Sequence, residues 1–410
     1  MVKKIGFVTP WYGEKIPGGA EMATRNLAEQ LVKRELDIEI LTTCVKEFMA
    51  DWNVNYHTPG VSIYNGITIR RFPVRKRDEE AFARVNEKLM RGMLISREEE
   101  QTFISEMINS PQLYQYIKEH KDEYDLFIYI PYMFGTTYYG IKECPEKAVM
   151  IPCFHDEAYL YMDIFRELFS QVAGMAFNAE PEYELAKKVY DLSGVVTTVP
   201  GLGMNTDIVG NASEFRKKYD IQDPYILYAG RKDKGKNIYK LLQYFAEYRK
   251  RRNTKLKLVL IGGGEVEIPK EIEKSIIDLG YVDAQDKYNA CAAAELMCQP
   301  SKHESFSLVI MESWLCGRPV LVHEKCEVTR HFAETSNGGL WFRDYFDFEG
   351  CVDYILEHPD KASRMGQQGR KFVLNNFTWD EVIRKYMELF EQVIKPNKDT
   401  LACENEGNNL

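Results

Sequence analysis

Residues 302–322, KHESFSLVIMESWLCGRPVLV, read as a loop, a helix and the start of a strand. The apolar run before them, Glu295 to Pro300, predicts a buried strand. Ser307 begins the helix, with Leu308, Met311 and Leu315 at helical spacing. Gly317 stands where a helix stops, and Pro319 launches the next strand, Val320 to Val322. A strand–loop–helix–strand unit of this kind puts a helix N-terminus at the carboxyl end of a parallel sheet. Its unpaired N–H groups and positive dipole make it ready for phosphate. Two carboxylates flank it, Glu304 in the loop and Glu312 on the helix. Acids beside a phosphate-binding helix end cannot serve the phosphate; they suit hydroxyl-rich groups on either side of it, a ribose and a sugar. Read singly, each has a bland alternative: Glu312 as an exposed helix residue, Glu304 as a loop acid near a helix start.

With 410 residues the chain has room for more than one domain, each with its own core. A net charge of -9 argues against nucleic acid as the main partner, because a phosphate backbone demands a basic surface. The nine cysteines are scattered without metal-site or Cys-x-x-Cys spacing, which fits reduced thiols in a cytoplasmic protein. MVKKIGFVTPW leads straight into a first strand and does not read as a signal peptide. No apolar run approaches the ~20 residues that span a bilayer, so any membrane contact is expected to be peripheral.

Lys4 to Thr9 and Asp37 to Thr42 read as strands, and Ala20, Ala23, Leu27 and Leu31 mark one face of the helix between them. The loop after the first strand carries Pro17-Gly18-Gly19-Ala20-Glu21. Glycines before a helix let a ligand approach the backbone, or simply make a turn. Ile67 to Phe72 reads as a strand, with Arg70, Arg71, Arg75, Lys76 and Arg77 around Pro73. That cluster is either a solvated strand end or a basic lip for an acidic acceptor or anionic headgroups. Residues 78–120 read as charged amphipathic helices. Alternation resumes with strands over Asp125–Ile130 and Ala148–Cys153; His155 follows the second, where ligands collect in α/β sheets. Pro200 to Asp207 is turn-rich and reads as a hinge. Tyr225–Ala229 is a buried strand, and the turn after it holds four cations, Arg231, Lys232, Lys234 and Lys236, more than packing explains and suited to a diphosphate. Gly262, Gly263 and Gly264 end the next strand and again admit a ligand, although the spacing is not that of a dinucleotide site.

Glu304, seven residues, Glu312, then Cys316-Gly317-Arg318-Pro319-Val320 resembles the C-terminal signature of glycosyltransferase family 4, and the resemblance extends over roughly residues 3–395. The family's enzymes are retaining and use nucleotide-sugars. The resemblance implies an α/β chain of the GT-B fold, with two Rossmann-like domains facing across a cleft. It implies an acceptor-binding domain over 1–199, a nucleotide-sugar domain over 200–377 and a helix over 378–396 crossing back to the first domain. The polar tail, 397–410, is expected to be disordered. Arg231 and Lys236 match an arginine and a lysine that would hold the diphosphate, aided by N–H groups of Ser307 and Leu308. Asn237 stands where the family more often has glycine. Glu312 would take the ribose hydroxyls, Glu304 those of the transferred sugar, and His155 would sit near that sugar. Gly19 and Gly263 would approach the donor, Val282 would border the base, and Asn337-Gly338-Gly339 would close the far side. No metal and no cofactor are expected, the two cations standing in for Mg²⁺.

The expected partners are a nucleotide-sugar, with UDP the commonest nucleotide, and a glycan, lipid-linked or small-molecule acceptor. The expected location is cytoplasmic, with a peripheral position at the inner membrane face through residues 70–77 as its variant. Two rivals remain: a glucan phosphorylase-like enzyme, which shares the fold but for which no pyridoxal phosphate motif is seen, and a catalytically silent nucleotide-sugar-binding subunit that uses the pocket for sensing or assembly.

Overall fold

The computed structural model describes residues 2–14, 16 and 18–395. Pro17 and the tail expected to be disordered, 397–410, lie outside the described residues. The chain's contacts divide it after Gly203 and again after Thr378, so that the segment from Trp379 onward rejoins the first unit.

In the first unit β1 (Lys4–Thr9) is buried at five of its six residues, as a strand covered on both faces must be. α1 (Gly19–Val32) buries Thr24, Leu27, Ala28 and Leu31, while Ala20 and Ala23 lie half-buried at the edge of that face. The chain then forms β2 (Asp37–Thr43), β3 (Gly60–Tyr64) and β4 (Ile67–Phe72), followed by α2 (Glu79–Met90), α3 (Arg97–Glu106) and α4 (Pro111–His120). Alternation resumes with β5 (Leu126–Tyr129), α5 (Gly135–Glu143), β6 (Ala148–Met150), α6 (Asp163–Phe169), β7 (Gly174–Ala176), α7 (Glu180–Val189) and β8 (Val196–Thr198). The sheet order is β3-β4-β2-β1-β5-β6-β7-β8, parallel except for β3, an exposed antiparallel edge strand with no counterpart in the sequence reading. The order reverses between β1 and β5, a topological switch point.

The basic cluster at 70–77 is not a free cationic lip. Arg70 donates to Glu39 at 2.8 Å and its guanidinium lies 4.5 Å from the Tyr116 ring centre. Arg71 donates to the Tyr12 carbonyl at 3.0 Å, and Arg75 pairs with Glu106 at 3.0 Å. Arg77 lies 4.8 Å from Trp52 and 4.5 Å from Phe82. These arginines bind the strand end to the inserted helices, and Lys76 is the exposed member of the cluster.

The second unit runs α8 (Ala212–Tyr219), β9 (Tyr225–Ala229), α9 (Ile238–Arg251), β10 (Lys257–Ile261), β11 (Ile276–Asp278), α10 (Ala284–Ala293), β12 (Leu296–Gln299), α11 (Leu308–Leu315) and β13 (Val320–His323). It closes with α12 (Glu327–Ser336), β14 (Gly339–Phe342), α13 (Tyr345–Glu357) and α14 (Pro359–Asn376). Its strands are all parallel in the order β11-β10-β9-β12-β13-β14, a Rossmann arrangement that reverses between β9 and β12. The Met204 N–H donates to the Phe377 carbonyl at 2.7 Å, tying this unit's two ends together. α15 (Trp379–Ile394) buries Val382, Ile383, Tyr386, Leu389 and Phe390 in a core of the first unit, the crossing-back helix that the fold class requires.

α11 is enclosed rather than amphipathic: Ile310 to Leu315 are all buried. The Trp314 indole donates to the Gly338 carbonyl at 2.8 Å, so Asn337-Gly338-Gly339 is an anchor for α11 that leads into β14. α14 comes close on the other side through Gly366 and Gly369. A Cβ on Gly366 would stand 2.0 Å from the Gly317 carbonyl oxygen, and one on Gly369 would stand 2.2 Å from the Trp314 ring. Alanine gains roughly 1 kcal/mol of helix propensity over glycine, whereas overpacking costs about 1–3 kcal/mol. Gly366→Ala, whose clash is with backbone, is therefore expected to lower the urea midpoint of unfolding. An unchanged midpoint would mean that α14 slides freely on α11.

Candidate functional site

The reversal between β9 and β12 opens a crevice at their carboxyl ends, and the chain places most of the expected site residues in the two turns there. After β9, Arg231 is exposed with its Nε 3.2 Å from Asp233. The Lys236 N–H donates to Asp233 Oδ1 at 2.9 Å, closing the turn. Asn237 follows at φ 59°, in the left-handed region that favours glycine and tolerates asparagine, which accounts for the departure from the family's glycine. Its side chain donates to the Pro300 carbonyl at 3.0 Å and so couples this turn to the one after β12.

Lys232 is not part of a cation cluster open to ligand. It is 5 % exposed, and its ammonium donates to Asp278 Oδ1 at 2.6 Å and Oδ2 at 2.7 Å. Packing thus accounts for one of the four cations, contrary to the reading from sequence. Its N–H donates to the Gly263 carbonyl at 2.8 Å, so Gly263 joins the strand-end turns of β9 and β10. The ring of Tyr281 lies over that glycine, where a Cβ would meet it at 2.5 Å. Val282 is half-buried in the loop before α10.

After β12, Glu304 Oε1 accepts from Lys236 Nζ at 2.7 Å, bringing two of the expected residues into contact. Ser307 is the residue before α11, not its first turn. It has φ 77°, makes no side-chain cap, and leaves a buried hydroxyl without a partner. Leu308 opens the helix, whose first-turn N–H groups have no intrahelical acceptor. Glu312 is 6 % exposed, which rules out its bland reading. Its Oε1 accepts from Lys287 Nζ at 2.6 Å, and its Oε2 is buried with no partner. Burial raises the Glu312 carboxyl above the usual range, and the Lys287 charge opposes that rise. An uncapped helix start, an orphaned hydroxyl and an orphaned carboxylate oxygen on one short helix are groups awaiting a polar ligand.

Gly19 and His155 belong to the first unit. Gly19 is the first residue of α1, with open space where a Cβ would point. Trp11, after β1, donates its indole N–H to Glu21 in the first turn of α1 at 2.7 Å. His155 Nδ1 lies 3.2 Å from Glu157 Oε1. The loop carrying His155 is fastened by Glu182, which is 1 % exposed and accepts from the Phe154 and Asn178 N–H groups at 2.6 Å each. Burial pushes its carboxyl up to about 8, against the pull of the donating N–H groups.

Lys287 and Glu182 were missed from the sequence. The signal for Lys287 was a lone lysine among small residues, AQDKYNACAA; Glu182 sits at the third position of α7, a common place for a capping acid. Among the described residues no group of three or more His, Cys, Asp or Glu side chains is placed to hold a metal ion. No described helix is long and apolar enough to cross a membrane.

Residues 211–372 match the family model described as glycosyl transferases group 1. An uncharacterized glycosyltransferase of Methanocaldococcus jannaschii is 23% identical over 191 residues, which is 43% of this chain and 47% of that protein. The chain spans about half the length of the curated relatives it matches. Among solved structures, sucrose-phosphate synthase of Thermosynechococcus elongatus superposes with a TM-score of 0.70 at 16% identity, covering 95% of this chain and 99% of that one. An Anabaena protein solved in complex with UDP-glucose gives 0.66 at 14% identity, covering 95% and 99%. The likeness is one of fold, the GT-B arrangement of Rossmann-like units.

The Lys232–Asp278 pair separates packing from ligand binding in the β9 turn. Asp278→Asn takes the counter-charge from a buried ammonium and is expected to lower the unfolding free energy by more than about 1 kcal/mol. Lys234→Ala, on an exposed side chain, is expected to change it by less than about 0.5 kcal/mol. Equal effects in chemical denaturation would contradict the assignment.

Proposed function

We propose that the chain is a retaining glycosyltransferase that moves a hexose-type sugar from a nucleotide-sugar, a UDP-sugar first among candidates, to a saccharide, lipid-linked or small-molecule acceptor without a metal. The observation that carries this reading is the switch-point crevice of the second unit, where Lys236 meets Glu304 beside the uncapped start of α11. The match to group 1 glycosyl transferases over residues 211–372 supports it, as does the fold shared with a protein solved with UDP-glucose.

In this reading the diphosphate lies against the N–H groups of Ser307 and Leu308, with Arg231 and Lys236 on its other side. Lys236 is paired with Glu304, and the Glu304 carboxylate accepts hydrogen bonds from the sugar's hydroxyls. Glu312, further along α11, reaches the ribose through Oε2. The bond from the anomeric carbon to the diphosphate oxygen breaks with its electron pair going to the diphosphate. Arg231 and Lys236 stabilise that growing charge. The acceptor oxygen bonds to the same face of the anomeric carbon, and its proton passes to a diphosphate oxygen. The roles of His155 near the sugar and of Gly19 in close approach of the donor rest on the family resemblance.

Calorimetry with a free nucleoside diphosphate and with its sugar tests the division of labour. Glu312→Gln is expected to weaken both ligands, by about 1.5–3 kcal/mol. Glu304→Gln is expected to leave the free nucleotide nearly unchanged while removing most turnover and sugar selectivity. Equal loss of free nucleotide in both variants would refute this placement of the sugar. Arg231→Ala and Lys236→Ala are expected to lower kcat by roughly 10²-fold, more than they weaken nucleotide binding. Turnover is expected to survive EDTA; loss on chelation, restored by Mg²⁺ or Mn²⁺, would overturn the metal-free assignment.

A further inference from the structure

Glu312 owes its usable form to a residue outside the signature that carries it. Lys287 on α10 brings its ammonium 2.6 Å from Glu312 Oε1, and the carboxylate's other oxygen remains buried and unpaired. The remaining titratable groups that act on Glu312 or on this pair are Tyr288 and Cys291 on α10 and Cys316 just after α11. None of these is a cation. Arg370, on the packed face of α14, donates to the Leu315 carbonyl. Lys287 is thus the cation in contact with Glu312. A carboxylate shut into an apolar wall without a counter-charge takes up a proton, and a neutral carboxyl is a poorer acceptor for hydroxyls.

We propose that Lys287 is a positioning residue for the nucleotide: it keeps Glu312 ionised and occupies Oε1, so that Oε2 is presented to the ribose diol of a nucleoside diphosphate. The inference rests on the nucleotide-sugar reading above. It also goes beyond a stabilising ion pair, because it makes nucleotide affinity depend on the protonation of Glu312.

The sign follows from the linkage. In wild type the Lys287 ammonium opposes the rise that burial imposes on the Glu312 carboxyl, so affinity there is expected to vary less with pH than in a variant that lacks the ammonium. Removing the ammonium raises the Glu312 carboxyl further, so at neutral pH part of the protein holds a proton that must leave before the tight complex forms. Affinity in the variant then climbs with pH until the carboxyl has ionised.

The test measures affinity for UDP, GDP and ADP by calorimetry between about pH 6 and pH 9, a range that spans a raised carboxyl. Wild type should bind one of them with little pH dependence. Lys287→Met should bind about tenfold more weakly at the acid end and recover toward wild type at the alkaline end. Lys287→Arg should behave as wild type, and Lys287→Met with Glu312→Gln should be weak and flat. Lys287→Gln makes the same comparison should Lys287→Met fail to fold. An uncharged variant as tight as wild type, or weak without pH dependence, overturns the inference while leaving the function intact. Wild type that binds none of the nucleotides contradicts the functional reading and the positioning role with it.

Discussion

Two side-chain-bearing residues in left-handed backbone, Asn237 and Ser307, stand immediately before the helices on either side of the second sheet's reversal. A strand that must turn at once into a helix has few routes, and a single positive-φ residue is one of them. For serine that conformation costs of order 1–3 kcal/mol, and at Ser307 neither a side-chain cap nor a partner for the buried hydroxyl offsets it. The surroundings enforce it. α11 is buried from Ile310 to Leu315, pinned by Trp314 to the Gly338 carbonyl and pressed by the glycines of α14. The same packing that fixes the helix leaves its start bare, and a bare helix start at a switch point is a place for an anion.

The charges around that start sort by burial. Lys232, closest in sequence to the β9 strand end after Arg231, is withdrawn into a pair with Asp278 and ties β9 to β11. Arg231 and Lys234 stay exposed, and Lys236 leans on Glu304. In the first unit Arg70, Arg75 and Arg77 stay partly exposed but are engaged by Glu39, Glu106 and the aromatic rings of Tyr116, Trp52 and Phe82. A run of basic residues is thus a poor guide to a charged surface where acids and aromatics from other elements can reach it.

That distinction marks what was legible in the sequence. The strand–loop–helix unit at 295–322, the βαβ start and the C-terminal helix follow from local apolar spacing, whereas the two-domain fold class was implied by the resemblance to glycosyltransferase family 4. Lys236 and Glu304 were each singled out at a strand end, but their ion pair was not legible in the sequence. What escaped depends on residues far apart in the chain: Lys287 meeting Glu312, Asp278 claiming Lys232, Glu182 fastening the loop before His155. The edge strand β3 escaped because GVSIY is exposed from Gly60 to Ile63 and only Tyr64 is half-buried against the core. Ser307 was assigned to the helix because its composition gives no hint of a positive φ.

The central claim is that the crevice between β9 and β12 holds a nucleoside diphosphate. A crystal structure of the chain grown with the nucleoside diphosphate it binds most tightly tests this directly. The account predicts diphosphate oxygens within hydrogen-bond distance of the Leu308 N–H and of the Arg231 and Lys236 side chains, with ribose hydroxyls on Glu312 Oε2. A nucleotide seated elsewhere, or one whose diphosphate leaves the start of α11 untouched, would contradict it.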